Sequence, residues 1–396
     1  MRILFISTEY PPMQGGVGRY CKNLVNSLRN EDLEVLVVCN ELGEGDFSGI
    51  SPYNTNNSEV LLRLVKEVEP DLVHVQYEQG LYGLHLDPID PRRTTTNIEF
   101  FYDHCRVPIV STLHSVYTFG QWMRLIVPLE NRMFGRIGTL LGMAYDYWTH
   151  LLNYHSFMSM VKQKIGPKRY GIVFSKYLAN LIPGTHLIYH GAEPSISTPA
   201  HKKEARQKFS LPEESKIALA SGFVTATKGW NLLNKMKVPK GWNIVINGSK
   251  NHYNVERHSI KYNSSNIIEL QQGFLNDEQL SLLFYAADAV ILPYKVTSGS
   301  GEMFDGLAHG LPFISSDIPF FREFSDMELG ISVPRDPVQF SNALLKLEQK
   351  LDRYKNTTKI FNKKLLWQEI AKKHIILYNL IVNDPNSPLL KENMFN

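Results

Sequence analysis

The sequence predicts an α/β protein made of two Rossmann-like domains. Three observations carry that reading. Short apolar runs alternate with stretches of helical periodicity. The alternation lapses near residue 200 and then restarts. The length, 396 residues, exceeds what one hydrophobic core usually organises.

Arg2 to Ser7 is a short apolar run, the signature of a buried parallel strand. Tyr20, Cys21, Leu24, Val25 and Leu28 then form a helical stripe. Glu34 to Cys39 predicts a second strand and Glu59 to Val68 a helix. Pro70–Val75, Pro108–Leu113, Gly171–Ser175 and His186–Tyr189 complete the first set of strands. The stretch from Tyr117 to Lys164 breaks the alternation. It is rich in Met, Leu, Tyr, Trp and Arg and reads as one or two inserted long helices. Aromatic stripes usually pack inside, so the leading expectation is core. The alternative is an acceptor- or membrane-facing surface carrying Trp122, Arg124, Arg132 and Arg136.

The pattern restarts at Lys216–Ala220. Trp242–Ile246, Asn266–Leu270, Ala289–Leu292 and Pro312–Ser315 follow as strands. Asn276 with Gln279 three residues on predicts a capped helix start. The junction falls in the Pro/Ser/Thr/Lys-rich stretch from Glu193 to Lys203. The expected domains are 1–195, with a helical insert at about 117–165, and 196–365. A C-terminal helix and frayed tail follow over 366–396.

The composition is 43% hydrophobic and 20% charged, with a net charge of +3. That is an ordinary soluble protein with no bulk electrostatic demand for nucleic acid. The basic run Lys202, Lys203, Arg206 and Lys208 reads as a solvated helix face. Three cysteines, Cys21, Cys39 and Cys105, form no close pair. This argues against a disulfide framework or zinc site and for a reducing cytoplasm. The first apolar run is too short for a signal peptide and passes straight into a glycine loop. No stretch reaches the ~18 apolar residues that span a bilayer. The expected location is cytoplasmic, with contact at most at a membrane surface.

Three glycine-bounded loops carry chemistry. Tyr10-Pro-Pro-Met-Gln-Gly-Gly-Val-Gly18 joins the first strand to the first helix. Gly15 and Gly16 let the backbone approach a ligand, and the helix start offers N–H groups to an anion. The spacing is not that of a dinucleotide fingerprint. A tight strand–helix turn would need the same glycines. Ser221 to Gly229 places Lys228 after a strand, where a point charge can neutralise a diphosphate; surface lysines are also common. Thr297-Ser298-Gly299-Ser300-Gly301-Glu302 leaves a strand and enters a helix, offering N–H groups and a dipole to phosphate. Asp305 follows one turn in. The bland alternatives are loop punctuation and a solvated first-turn acid.

Taken together, these loops resemble the family-4 retaining glycosyltransferases, with correspondence from Met1 to about Tyr378. The matching stretches are Pro11–Gly18, Thr112-Leu113-His114, His190-Gly191, Gly222–Gly229, Ala308-His309-Gly310-Leu311-Pro312 and Pro319–Glu323. Two positions depart: Phe223 stands where the family carries an arginine, and Thr297 where it carries the first of two acids, eight before Asp305. The resemblance implies a GT-B fold, two Rossmann-like domains across a cleft, with the C-terminal helix returning to the first domain.

It further implies that Lys228 and the N–H groups of Gly299 to Gly301 stabilise a leaving diphosphate. Asp305 would hold the ribose, Phe274 and its backbone neighbours the base, and His114 the donor sugar. Gly15 and Gly16 would close over the phosphates. Phe223, Thr297, Ser298, Ser300 and Glu302 complete the expected donor contacts. A histidine after a strand is also often a plain structural hydrogen bonder. The partners implied are a nucleotide-sugar donor and a glycan, lipid-linked or small-molecule acceptor. No Asp-x-Asp occurs, so neither a metal nor a cofactor is expected. With no evident carboxylate nucleophile, front-side attack with retention is expected. A GT-B-fold nucleotide-sugar epimerase, a non-catalytic sugar-binding protein and a dinucleotide oxidoreductase are the competing classes.

Overall fold

The computed structural model describes residues 1–86, 90, 93–125, 140–196, 202–249 and 264–390. The chain divides into two compact units. The first comprises Met1–Tyr189 with Ala371–Asn396, and the second His190–Ile370.

The first unit contains β1 (Arg2–Ile6), α1 (Gly16–Arg29), β2 (Glu34–Cys39), β3 (Phe47–Ser48), α2 (Asn57–Val68), β4 (Leu72–Tyr77), α3 (Glu99–His104) and β5 (Ile109–Leu113). Then come α4 (Leu140–Lys162), β6 (Arg169–Val173), α5 (Lys176–Leu181) and β7 (Thr185–Leu187). Its sheet runs β3-β2-β1-β4-β5-β6-β7, and every pair is parallel. Side chains on both faces of β1, β4 and β5 are buried, which is why these strands read as continuous apolar runs. The order reverses between β1 and β4. Ligands of open α/β sheets bind beyond the carboxyl ends of the strands at such a point.

Residues 119–125 are helical, and α4 supplies the long helix expected in the insert. Trp122 is 1% exposed and packs on Phe157 with ring centroids 4.7 Å apart. At this residue the core expectation holds and the surface alternative fails. Arg132 and Arg136 lie outside the described residues. On α4 itself, Tyr147 and Trp148 are exposed.

The second unit contains α6 (Lys202–Lys208), β8 (Lys216–Phe223), β9 (Trp242–Ser249), β10 (Ile267–Leu270), α7 (Asp277–Ala286), β11 (Ala289–Leu292) and α8 (Gly301–Ala308). They are followed by β12 (Phe313–Ser316), α9 (Pro319–Asp326), β13 (Gly330–Val333), α10 (Pro337–Gln349) and α11 (Leu351–Phe361). The sheet runs β10-β9-β8-β11-β12-β13, again all parallel. Asn276 and Gln279 form the predicted capping box on α7. Trp230, Trp242, Ile244, Ile291, Phe340 and Leu344 belong to one apolar core. The final helix, α12 (Trp367–Asn383), spans the division: Trp367–Ile370 belong to the second unit and the rest to the first.

The basic run on α6 is not simply a solvated face. Arg206 is 4% exposed and its Nη2 lies 2.9 Å from Asp288. Lys202 also pairs with Asp288, and the Ile217 N–H donates to the same carboxylate at 3.0 Å. Burial alone would raise the Asp288 carboxyl, but Lys202, the Ile217 N–H and Lys355 outweigh it and hold it below the usual range. The acid fixes α6 to the start of β8. Asp288→Asn removes the charge that the buried Arg206 and the partly exposed Lys202 and Lys355 answer. It is expected to cost about 3 kcal/mol, read as a lower denaturation midpoint of the full chain. A loss below about 1 kcal/mol would show that the cluster is solvated after all.

Candidate active site

In the second unit the ends of β8 and β11 and the start of α8 converge. β8 ends with Ser221-Gly222-Phe223, and a 3-10 turn at Ala226–Lys228 folds the lysine back over it. Gly222 has φ +117°, and the Lys228 amine lies 2.8 Å from where a Cβ would sit. Both the backbone angle and the close approach require glycine. Lys228 Nζ donates to the Ser221 carbonyl at 3.2 Å and to Glu302 Oε2 at 2.8 Å. The same Oε2 accepts the Tyr294 hydroxyl at 2.9 Å, and Oε1 accepts the Ser221 N–H at 2.5 Å. Glu302 thus gathers donors from three segments. Its place in the first turn of α8 suits an acid, because the helix dipole is positive there.

Both partners are well buried, with side-chain exposures of 16% for Lys228 and 6% for Glu302. Burial is the largest single influence on Lys228 and lowers it. The Glu302 carboxylate, with Tyr294, outweighs that effect and holds the ammonium above the usual lysine range. Burial, then Glu302, pushes the Tyr294 hydroxyl up to about 12. Lys228 is therefore a fixed cation at neutral pH.

The Ser/Gly turn is equally organised. Ser300 caps α8 by accepting the Met303 N–H at 3.2 Å. The Gly299 N–H donates to Thr297 Oγ1 at 3.1 Å, and the Thr297 hydroxyl donates back to the Gly299 carbonyl. Thr297 and Ser298 are buried, as is Asp305, which is 7% exposed. Asp305 is thus not the solvated helix acid of the bland reading. Phe223 and Phe274 stack with centroids 6.1 Å apart and planes at 19°, and Phe274 is 40% exposed. Arg335 donates to the carbonyls of Pro293 at 2.9 Å and Gly229 at 2.8 Å, tying the lysine loop to the end of β11.

The first unit has its own strand-end constellation. Gly15 and Gly16, paired in the sequence reading, differ here. At Gly15 a Cβ would fall 1.7 Å from the Glu9 carboxyl carbon, whereas at Gly16 it would meet open space. Glu9 Oε2 accepts the N–H groups of Val17 and Gly18, each at 3.0 Å. The start of α1 is therefore capped by a carboxylate of its own loop. Glu78, at the end of β4, accepts the Leu81 N–H at 3.0 Å and the Ser115 hydroxyl at 3.3 Å. Burial raises its carboxyl.

His114 bonds through Nε2 to Gln76 Oε1 at 2.9 Å. Its ring packs edge-on against Tyr20 and Phe174, each at 5.3 Å. Gln76 continues to His74 at 3.3 Å, which meets Thr112 at 2.8 Å and Tyr378. Burial holds His74 well below the usual histidine range.

Within the second unit, the structure thus brings Lys228 and Glu302 together, and separately Phe223 and Phe274. Tyr294, Ser221 and Arg335 were not singled out in the sequence, and Glu9 and Glu78 were not found. The one available signal was position: each lies within two residues of a strand end or in a loop that follows one.

Comparison with known proteins agrees with this geometry. Residues 201–363 match the model of the glycosyl transferases group 1 family, a span that holds Ser221, Lys228, Tyr294, Glu302 and Arg335. Curated proteins give no sequence match. Among solved structures, sucrose-phosphate synthase from Thermosynechococcus elongatus superposes with a TM-score of 0.66 at 14% identity, over 97% of this chain and 99% of that one. Anabaena HepE in complex with UDP gives 0.64 at 12% identity, over 95% and 99%. WaaG, a glycosyltransferase involved in lipopolysaccharide biosynthesis, gives 0.61 at 13%, over 96% and 99%. The chain has the two-unit GT-B architecture of these proteins, and the match to the group 1 glycosyltransferase model lies in its second unit.

Glu9 generates a pH prediction. Burial first, then the neighbouring Glu78, push its carboxyl up from 4.5 to about 7 against the two N–H bonds. Folding favours the protonated form, so this stabilisation is full below about 4.5 and is lost as pH rises through about 7. The loss is roughly 3 kcal/mol. Glu9→Gln keeps an acceptor for the N–H groups and removes the titration. Its stability relative to the parent is expected to rise between pH 5 and pH 8, measured by denaturation midpoints. An unchanged difference at the two pH values would refute the assignment.

Proposed function

We propose that the protein is a retaining glycosyltransferase. It moves a hexose-type sugar from a nucleoside-diphosphate sugar to a hydroxyl of a glycan, lipid-linked or small-molecule acceptor, without a metal ion. The observation that carries this reading is the buried Lys228 held by Glu302 beside the Ser300-capped start of α8. A cation that keeps its charge and a helix N-terminus are the two devices that stabilise a departing phosphate.

In the proposed reaction the acceptor oxygen bonds to the anomeric carbon as the bond from that carbon to phosphate breaks. The acceptor proton passes to the leaving phosphate oxygen. Lys228 and the backbone N–H groups of Gly299 to Gly301 stabilise the charge that appears there. Asp305 takes the ribose, and the base lies by the Phe223–Phe274 stack, whose aromatic faces suit a planar ring. His114 contacts the donor sugar, and the backbone at Gly16 approaches the phosphates. The neighbouring HepE structures hold UDP, UDP with glucose, and UDP-glucose, and starch synthase IV holds ADP and acarbose. These support the nucleoside-diphosphate class of donor. The proposed setting is the cytoplasm, with membrane-surface contact where the acceptor is lipid-linked. No described helix is long and apolar enough to cross a membrane.

A screen of UDP-, GDP- and ADP-hexoses by thermal shift identifies the donor, and product analysis with candidate acceptors then gives the linkage. Turnover is expected to persist in EDTA. Lys228→Ala is expected to lower kcat by about 100-fold or more. Full turnover by that variant would overturn the mechanism. Sugar-nucleotide conversion without any acceptor would instead favour an epimerase, and binding with no consumption a non-catalytic sugar-binding protein.

A further inference from the structure

Between Lys350 and Leu366 the chain carries six cations, Lys350, Arg353, Lys355, Lys359, Lys363 and Lys364, against one acid, Asp352. The net charge of the whole chain is only +3, so its positive charge is concentrated in this segment of the second unit. The segment is α11 with the 3-10 turn Asn362–Lys364 that follows it. Thr358, Phe361 and Leu365 are buried at helical spacing and hold one side of it. Phe361 packs edge-on against Phe324 of α9, with centroids 6.1 Å apart. The Asn362 amide donates to the Ala308 carbonyl, at the end of α8, at 3.3 Å. The opposite side, with Asn356, Lys359, Ile360 and Lys363, is exposed.

Part of this charge is answered within the unit. Arg353 pairs with Glu328, and Lys355 lies 3.6 Å from Asp288. Lys359, Lys363 and Lys364 are exposed and have no acidic partner among the described residues. Ile360 stands among them, 72% exposed, with Leu366 at 37% beyond the turn. The chemistry of the face selects its partner. Lysines are point charges suited to a diffuse anionic surface, whereas a nucleic-acid strand is gripped by a basic groove with aromatic rings that stack on its bases. Here the one arginine is paired, and the apolar groups between the lysines are aliphatic. Lysines flanking an exposed aliphatic side chain match anionic headgroups lying over acyl chains.

We propose that this face of the second unit docks on an anionic membrane surface. Lys359, Lys363 and Lys364 lie among the headgroups, and Ile360 enters the boundary with the acyl chains. α11 is fixed to the C-terminal end of α8, a helix of 8 residues whose start is the proposed diphosphate site, so docking brings that site near the surface. The inference deepens the reading above by naming a membrane-borne, lipid-linked acceptor. It rests on that reading for the acceptor, and the docking surface stands on its own residues.

The test is co-sedimentation of the full chain with vesicles of phosphatidylcholine alone and of phosphatidylcholine mixed with phosphatidylglycerol, at low and at high salt. The parent is expected to bind only the anionic vesicles and to leave them at high salt. The triple variant Lys359→Gln, Lys363→Gln, Lys364→Gln should lower partition about 100-fold or more. Ile360→Ser alone should lower it about tenfold. Both variants should keep the parent's thermal midpoint and its shift with nucleotide sugars. No binding of the parent to anionic vesicles, or binding by the triple variant equal to the parent's, would overturn the docking surface and leave the donor reading standing. Retention of RNA in place of vesicles would overturn it too. Vesicle binding intact with no thermal shift from any nucleotide sugar would overturn the donor reading and leave the surface standing.

Discussion

Glu302 accepts three kinds of donor at once: the Lys228 ammonium, the Tyr294 hydroxyl and the Ser221 N–H. The strand-end geometry of the second unit depends on this carboxylate. A buried lysine is costly unless an opposite charge answers it, and a buried pair is worthwhile only when its remaining hydrogen-bonding capacity is filled. Each residue here meets one of those demands. Glycine at 222 makes room for the amine, the helix start favours the acid, and Arg335 holds the loop that delivers the lysine. The lysine is thereby fixed in place before any ligand arrives. Preorganisation of this kind is what makes electrostatic stabilisation effective, since little reorganisation is left to the reaction itself.

The two units use the same architecture and treat a helix N-terminus in opposite ways. In the first, Glu9 of the preceding loop occupies N–H groups of α1. An anion there would have to displace a carboxylate that is already seated, beside a second one at Glu78. In the second, α8 is capped by the neutral Ser300, and its first-turn acid is turned to a lysine. The same glycine-rich signature in sequence therefore has different meanings. Gly15 is small because Glu9 lies where a side chain would be, and only Gly16 faces open space. Glycine loops reveal where backbone must come close to something, without saying whether that is a ligand or the protein's own acid.

Strand positions were largely legible because buried parallel strands declare themselves as apolar runs. The elements that went unread are those without that signal. β3 has only two residues, and β13 is mostly half-buried, with a Gly-Ile-Ser-Val sequence. The capping box at Asn276 was readable because its two partners are three residues apart. The partners of Glu302 were not, since Ser221 and Lys228 lie 81 and 74 positions away. Local periodicity carries no information on such pairs. Arg206 misled for the same reason: its run looks like a solvated face until Asp288, 82 positions on, is folded against it.

The departures from the family pattern at Phe223 and Thr297 then become parts of one rearrangement. Thr297 does not replace an acid: its hydroxyl is spent within the turn, on Gly299. The acid that is present, Glu302, lies past the turn and on the helix, where it reaches the lysine and not the loop. Phe223, uncharged, stacks on Phe274 and adds a flat aromatic face in place of a cation. The site thus keeps its fixed positive charge but shields it more, and gives up both a second permanent cation and a loop carboxylate. A donor held here would be gripped through its diphosphate and its base.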